Sequence, residues 1–158
     1  YQGETVQSKS GHAFIKQVMR EHNAVYGGEM SAHHYFRDFA YCDSGMIPWL
    51  LTIALLSETG QSLSTLVENM IAKFPCSGEI NFKVADTQIT IQKLFDHYAA
   101  QHPQIDRTDG VSLDFGIWRF NVRASNTEPL LRLNIESRGD QARPMQDYVD
   151  ELTALIQA

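Results

Sequence analysis

The sequence predicts an α+β fold in two parts. Apolar residues recur at helical spacing before Pro75 and again near the C-terminus, while Ile80–Ile135 carries four runs that alternate apolar and polar. The period changes at FPCSG, residues 74–78, and this break divides the chain into residues 1–74 and 75–158, with the boundary between Lys73 and Gly78. An antiparallel sheet with helices before and after it is the expected layering of the second part.

Element by element, Ser10 is placed to cap a helix that buries Phe14, Ile15, Val18 and Met19. AVYGGE follows as a short extended run broken by Gly27 and Gly28. A second helix is expected from Asp43 or Ser44, burying Ile47, Leu50, Leu51, Ala54 and Leu55, with Gly60 ending it. Ser62 opens a third helix with the stripe Leu63, Leu66, Val67, Met70, Ile71 and Phe74, stopped by Pro75. Ile80/Phe82/Val84 reads as a half-buried strand. A helix then turns Ile91, Leu94, Phe95, Tyr98 and Ala99 inward. Val111/Leu113/Phe115, Trp118/Phe120/Val122 and Leu131/Leu133/Ile135 complete a four-stranded antiparallel sheet. Pro144 starts a last helix with Met145, Tyr148, Val149, Leu152, Leu155 and Ile156 on one face.

Composition excludes several function classes. Of 158 residues 43% are apolar and 20% charged, which is ordinary for a globular chain and rules out a disordered or low-complexity one. The net charge of −6 argues against a nucleic-acid or anionic-membrane binder, since both need a cationic face. The longest apolar run, Met46–Leu56, has 11 residues. About 20 are needed to span a bilayer. YQGETVQSKS has neither the basic nor the apolar region of a signal peptide, and starting on Tyr1 it is expected to be a cut or processed end of something longer. Cys42 and Cys76 make no disulfide framework and no four-ligand zinc site, so a reducing, cytoplasmic setting is expected.

Two segments carry chemistry. RASNTEP, Arg123–Pro129, lies between two alternating runs. A loop there offers successive backbone N–H groups, the short polar side chains of Ser125, Asn126 and Thr127, and the guanidinium fork of Arg123. Those are the requirements of a phosphate site, although a polar β-turn flanked by solvated arginines has the same composition. Residues 119–143 carry +2 while the rest of the chain carries −8. The second segment is GGEMSAHHYF, Gly27–Phe36, which sets Glu29, Ser31, His33 and His34 close together after a tight turn. A carboxylate beside a hydroxyl suits paired sugar hydroxyls, and a histidine alongside suits proton transfer near neutral pH. Glu29, His33 and His34 do not match an established zinc spacing, and a polar strand edge is the plainer reading. His12, at a helix start, suits either an anion or bulk solvent. His22, His97 and His102 read as structural, and no GxGxxG, P-loop, nucleophile elbow or HExxH is present.

Taken together, SKSGHAFIK (Ser8–Lys16), GEMSAHHYF (Gly28–Phe36) and RASNTEPLLRLNIES (Arg123–Ser137) resemble, in order and spacing, the C-terminal half of the phosphohexomutases, and within that superfamily the bacterial phosphomannomutases. The resemblance implies that residues 1–74 are the end of a third, sugar-recognising domain with an α/β fold, and that residues 75–158 are the fourth, phosphate-binding domain. It implies a substrate-binding fragment of an enzyme interconverting mannose 6-phosphate and mannose 1-phosphate. A phosphoserine enzyme and a hexose 1,6-bisphosphate intermediate belong to that reaction. The alternatives are a dual phosphomannomutase/phosphoglucomutase and a stand-alone sugar-phosphate-binding module. By the same resemblance Arg123, Ser125, Asn126 and Thr127 bind phosphate, while Glu29, Ser31 and His12 bind the sugar. His33 would be the acid/base. The family's serine loop and its aspartate-rich Mg²⁺ loop are missing from this sequence. The implied partners are a phosphosugar and the N-terminal domains of the same polypeptide, with Mg²⁺ held there, and this stretch alone is expected to be inactive. Ala32 stands where many dual-specificity members have Gly.

Overall fold

The computed structural model describes residues 3–125, 130–138 and 142–158. By packing, the chain divides into two units that meet at Leu63 and Ser64, inside the start of a helix. The chain as a whole is α+β; the first unit, expected as the end of an α/β domain, holds a three-stranded antiparallel sheet among the described residues.

The first unit runs α1 (His12–Glu21), β1 (Tyr26–Gly28), β2 (His34–Phe36), a single 3₁₀ turn (Arg37–Phe39), β3 (Cys42–Asp43) and α2 (Met46–Thr59). The strands form an antiparallel sheet in the order β1-β2-β3. Ile15 and Met19 of α1 pack with Tyr35 of β2 as a small buried cluster. Gly27 makes this packing possible, because a Cβ there would lie 2.7 Å from Met19 Sδ and 3.0 Å from Ile15 Cγ2. Ser10 is not the cap of α1. Gly11, at φ 121°, takes the N-cap position with no side-chain capping bond, so the helix starts after the residue free to adopt that angle. Phe14, expected inside, is exposed.

A larger correction concerns α2. The helix begins where expected, with the Ile47 N–H donating to Ser44 Oγ at 3.3 Å, and ends on Gly60 at φ 65°. No residue of α2 is buried: Trp49, Leu50, Leu51, Ile53 and Leu55 stand 54%, 55%, 58%, 43% and 47% exposed. A helix apolar on nearly every side belongs inside a protein. Helix α3 (Leu63–Lys73) also buries nothing, and its stripe residues Val67, Met70, Ile71 and the adjoining Phe74 are exposed.

The second unit adds β4 (Ile80–Lys83), α4 (Thr87–Tyr98), a 3₁₀ turn (Ala99–Gln101), β5 (Gln104–Asp106), β6 (Val111–Asp114), β7 (Trp118–Ala124), β8 (Leu130–Ser137) and α5 (Met145–Gln157). Its antiparallel sheet runs β4-β8-β7-β6-β5. This is five strands where four were expected. The extra one, Gln104–Asp106, is a three-residue edge strand recruited by β6, too short and polar to show an alternating pattern. Strand alternation is strict in the centre: Trp118, Phe120 and Val122 of β7 and Leu131, Leu133 and Ile135 of β8 face a core shared with Leu94, Tyr98, Tyr148, Leu152 and Ile156 of the two helices. Burying each such side chain stabilises the unit by roughly 1.5–3 kcal/mol relative to exposure. Asp86 caps α4, its Oδ1 accepting from the N–H groups of Gln88 and Ile89 at 2.8 and 3.0 Å. Residues 75–77 are stitched to β8: Ser137 N–H donates to the Pro75 carbonyl, Ser77 N–H to that of Ile135, and Ile135 N–H to Ser77 Oγ, each at 2.9 Å.

Candidate functional site

Each unit carries one cluster of polar groups anticipated from the sequence. In the first, the turn after β1 closes through Ala32 N–H donating to the Glu29 carbonyl and Glu29 N–H to that of His33, both at 3.0 Å. Ala32 sits at φ 63°, the left-handed conformation that this reversal requires. Glu29 is held at both oxygens. Ser31 Oγ donates to Oε2 at 3.1 Å and the buried Tyr35 hydroxyl donates to Oε1 at 2.9 Å. Burial first, and then the Glu29 carboxylate, push the Tyr35 phenol up to about 12, so it remains a donor at any working pH. The result is a fixed carboxylate with a hydroxyl beside it, the arrangement expected for sugar hydroxyls.

His33 lies next to this pair, with its side chain 54% exposed. Its Nδ1 is 2.7 Å from Asp43 Oδ2, and the His34 N–H donates to Asp43 Oδ1 at 2.9 Å. The Asp43 hydrogen bond raises the His33 pKa above its ordinary value, helped by the charges of Asp43 and Glu29, and the same bond lowers that of Asp43. His34 is engaged elsewhere, its Nδ1 2.7 Å from the Tyr26 hydroxyl. His12 is the first residue of α1, exposed, and outside the hydrogen bonds that join Glu29, Ser31 and Tyr35.

In the second unit, Arg123 is the penultimate residue of β7 and lies on the sheet face opposite the core. Ser125 N–H donates to the Leu130 carbonyl at 2.8 Å, drawing the ends of the β7–β8 connection together. Asn126 and Thr127 fall outside the described residues. Arg132 stands directly across from Arg123, and Glu79 lies against both, 3.3 Å from Arg123 Nη2 and 3.5 Å from Arg132 Nη1. Arg132 Nε is buried and has no hydrogen-bond partner among the described residues. Two guanidiniums share one carboxylate, which leaves the cluster cationic and suited to an anion.

Sequence reasoning missed Tyr35, Asp43, Arg132 and Glu79. Asp43 was read as a helix-start residue, and only the pairing of β2 with β3 brings it to His33. Tyr35 was hidden in a polar run, where its aromatic ring beside an acidic turn was the available signal. Among the described residues no three of His, Cys, Asp and Glu come together as a metal site. The described residues do not fit a Mg²⁺ site.

Family models decide the relationship. The model described as phosphoglucomutase/phosphomannomutase, alpha/beta/alpha domain III matches residues 1–74, and the one described as the phosphoglucomutase/phosphomannomutase C-terminal domain matches residues 79–154. The chain belongs to the phosphoglucomutase/phosphomannomutase family. It is similar to the "Phosphohexose mutases" protein of Xanthomonas campestris pv. campestris (strain B100), 66% identical over 98% of this chain and 34% of that protein. A phosphomannomutase of Salmonella montevideo is 60% identical over 87% of this chain and 30% of its own length, and one of Vibrio cholerae 57% over 98% and 33%. The chain therefore spans about a third of the length of the curated relatives it matches, and it corresponds to their C-terminal part. A crystal structure of a phosphoglucomutase/phosphomannomutase family protein from Burkholderia thailandensis superimposes with a TM-score of 0.69 at 24% identity, covering 98% of this chain and 33% of that one. That likeness shows the fold.

Proposed function

We propose that this chain is the substrate-binding C-terminal part of a phosphomannomutase, an isomerase that interconverts mannose 6-phosphate and mannose 1-phosphate through a phosphoserine and a hexose 1,6-bisphosphate. The observation that carries the reading is the pairing of two site types on one chain of this family. The carboxylate–hydroxyl pair Glu29/Ser31 suits sugar hydroxyls, and the Arg123 strand end, with Ser125, Asn126 and Thr127 after it, suits a phosphate. In this reading residues 1–74 end the sugar-recognising domain and residues 75–158 are the phosphate-binding one. His12 adds a sugar contact and His33 exchanges a proton with a substrate hydroxyl. A phosphoryl-transfer enzyme works mainly by positioning and electrostatics, and both tasks fall to these residues.

The phosphoserine, the Mg²⁺ and its ligands belong to N-terminal domains of the same polypeptide, so the 158-residue chain alone has no mutase activity. The uncovered apolar surface of α2 supports a larger parent. A cytoplasmic setting agrees with the free thiols of Cys42 and Cys76. Among the described residues no helix is long and apolar enough to cross a membrane.

The test is Arg123→Lys in the full-length enzyme. An ammonium lacks the planar fork that binds two phosphate oxygens, and a lost charge-assisted bond of about 1.5–3 kcal/mol corresponds to a roughly tenfold to hundredfold lower kcat/KM for mannose 1-phosphate. Arg138→Lys, exposed past the end of β8, is the control. Equal, wild-type kinetics for both would remove Arg123 from the site.

A further inference from the structure

His33 and Asp43 are ten residues apart, and the antiparallel pairing that sets Tyr35 opposite Asp43 brings them together. Asp43 spends one oxygen on the His34 backbone N–H at 2.9 Å and the other on His33 Nδ1 at 2.7 Å. The strand is tied down beside it, since Ser44 N–H donates to the His34 carbonyl at 2.9 Å. A carboxylate fixed through a backbone bond is a rigid acceptor. It selects the His33 tautomer with its proton on Nδ1 and leaves Nε2 carrying the lone pair. Among the described residues no hydrogen bond occupies Nε2.

We infer that Asp43 is a positioning residue for His33, fixing the ring's tautomer and orientation so that Nε2 exchanges a proton with the substrate hydroxyl. The inference rests on the sugar-phosphate reading above. As the hydroxyl oxygen forms its bond to a phosphoryl group and that group leaves its donor oxygen, the O–H bond breaks and Nε2 takes the proton. The ring becomes an imidazolium held by the Asp43 carboxylate, and the reverse direction returns the proton. The other charged group acting on His33 is Glu29, from the turn after β1, while His34 acts on Asp43. Because the Asp43 bond raises the His33 pKa, removing it lowers that pKa and moves the acid limb of the rate profile to lower pH.

Two measurements on Asp43→Asn test this. Nitrogen-15 NMR of the imidazoles in the 158-residue chain should show wild-type His33 protonated on Nδ1 when neutral, and should show the substitution lowering its pKa and mixing the tautomers. In the full-length enzyme, kcat should fall about tenfold to a hundredfold, part of the 10²–10⁴ that general acid–base catalysis supplies, with KM within about twofold. Asp43→Glu, which keeps the charge, should recover part of the loss and guards against a folding defect. An unchanged His33 tautomer and pKa in Asp43→Asn would overturn the inference, as would an unchanged kcat beside a changed NMR spectrum. The underlying reading fails differently: unsubstituted full-length enzyme would not turn over hexose phosphates, or His33→Ala would retain wild-type kcat, and either result removes Asp43 from catalysis whatever the NMR shows.

Discussion

Arg123 and Arg132 stand directly opposite each other on β7 and β8. Like charges in that relation repel, and the pair persists because Glu79 reaches both guanidiniums. Their side chains are 22% and 27% exposed, so solvent screens the repulsion only in part. Glu79→Gln should therefore lower stability by about 1 kcal/mol in chloride. Inorganic phosphate at equal ionic strength should restore more of the melting temperature in the variant than it adds to the wild type, because the anion replaces the missing carboxylate. Identical melting curves in both salts would show that Glu79 is not the counter-ion.

Tyr98 of α4 donates to Glu151 of α5 at 2.6 Å, and Arg143 Nη2 donates to the other oxygen at 2.8 Å. The Tyr98 bond is the main cause lowering the Glu151 pKa. A carboxyl lowered by folding adds stability above its unfolded pKa of about 4.3 and loses it as pH falls through the folded value. Tyr98→Phe should cost about 1–2 kcal/mol at pH 7 and distinctly less at pH 3. Urea unfolding, followed by the near-ultraviolet signal of the stacked Phe115, Trp118 and Tyr148 rings, reads this at both pH values. An equal penalty at both would detach the effect from Glu151.

The exposed leucines of α2 predict behaviour that depends on the length of chain around them. In the 158-residue chain Leu51→Glu should leave helix content unchanged, while reducing dye binding and concentration-dependent association in sedimentation velocity. In the full-length protein the same substitution should destabilise by several kcal/mol, on the order expected for an unpaired buried charge. A full-length protein indifferent to it would leave α2 as a true surface helix.

Limited proteolysis separates the two places at which the chain could be divided. The bonds tying residues 75–77 to β8 protect that stretch, while residues 60–62, which link two helices, are exposed. First cuts by a protease of broad specificity should fall at 60–62. First cuts at 74–78 would show that the β8 bonds open readily and would favour the division at Phe74.

The sequence by itself determined the parts whose cause is local or periodic. Strict alternation in β7 and β8 identified the core residues, because a two-residue period puts one face of a strand inside. Gly60 announced the end of α2, and three ordered motifs announced the family. The contact between Ser31 and Glu29 and the place of Arg123 near a strand end were legible for the same reason: the groups lie within a few residues or at the end of one alternating run. Tertiary structure alone decided what depends on pairing across distance. Asp43 reaches His33 through the β2–β3 register, Arg132 stands opposite Arg123 through the β7–β8 register, Glu79 reaches both from the residue before β4, and β5 exists only because β6 offers it an edge. The burial of α2 was misread for a related reason: helical periodicity reports that a face is apolar, while what covers that face lies elsewhere in the fold.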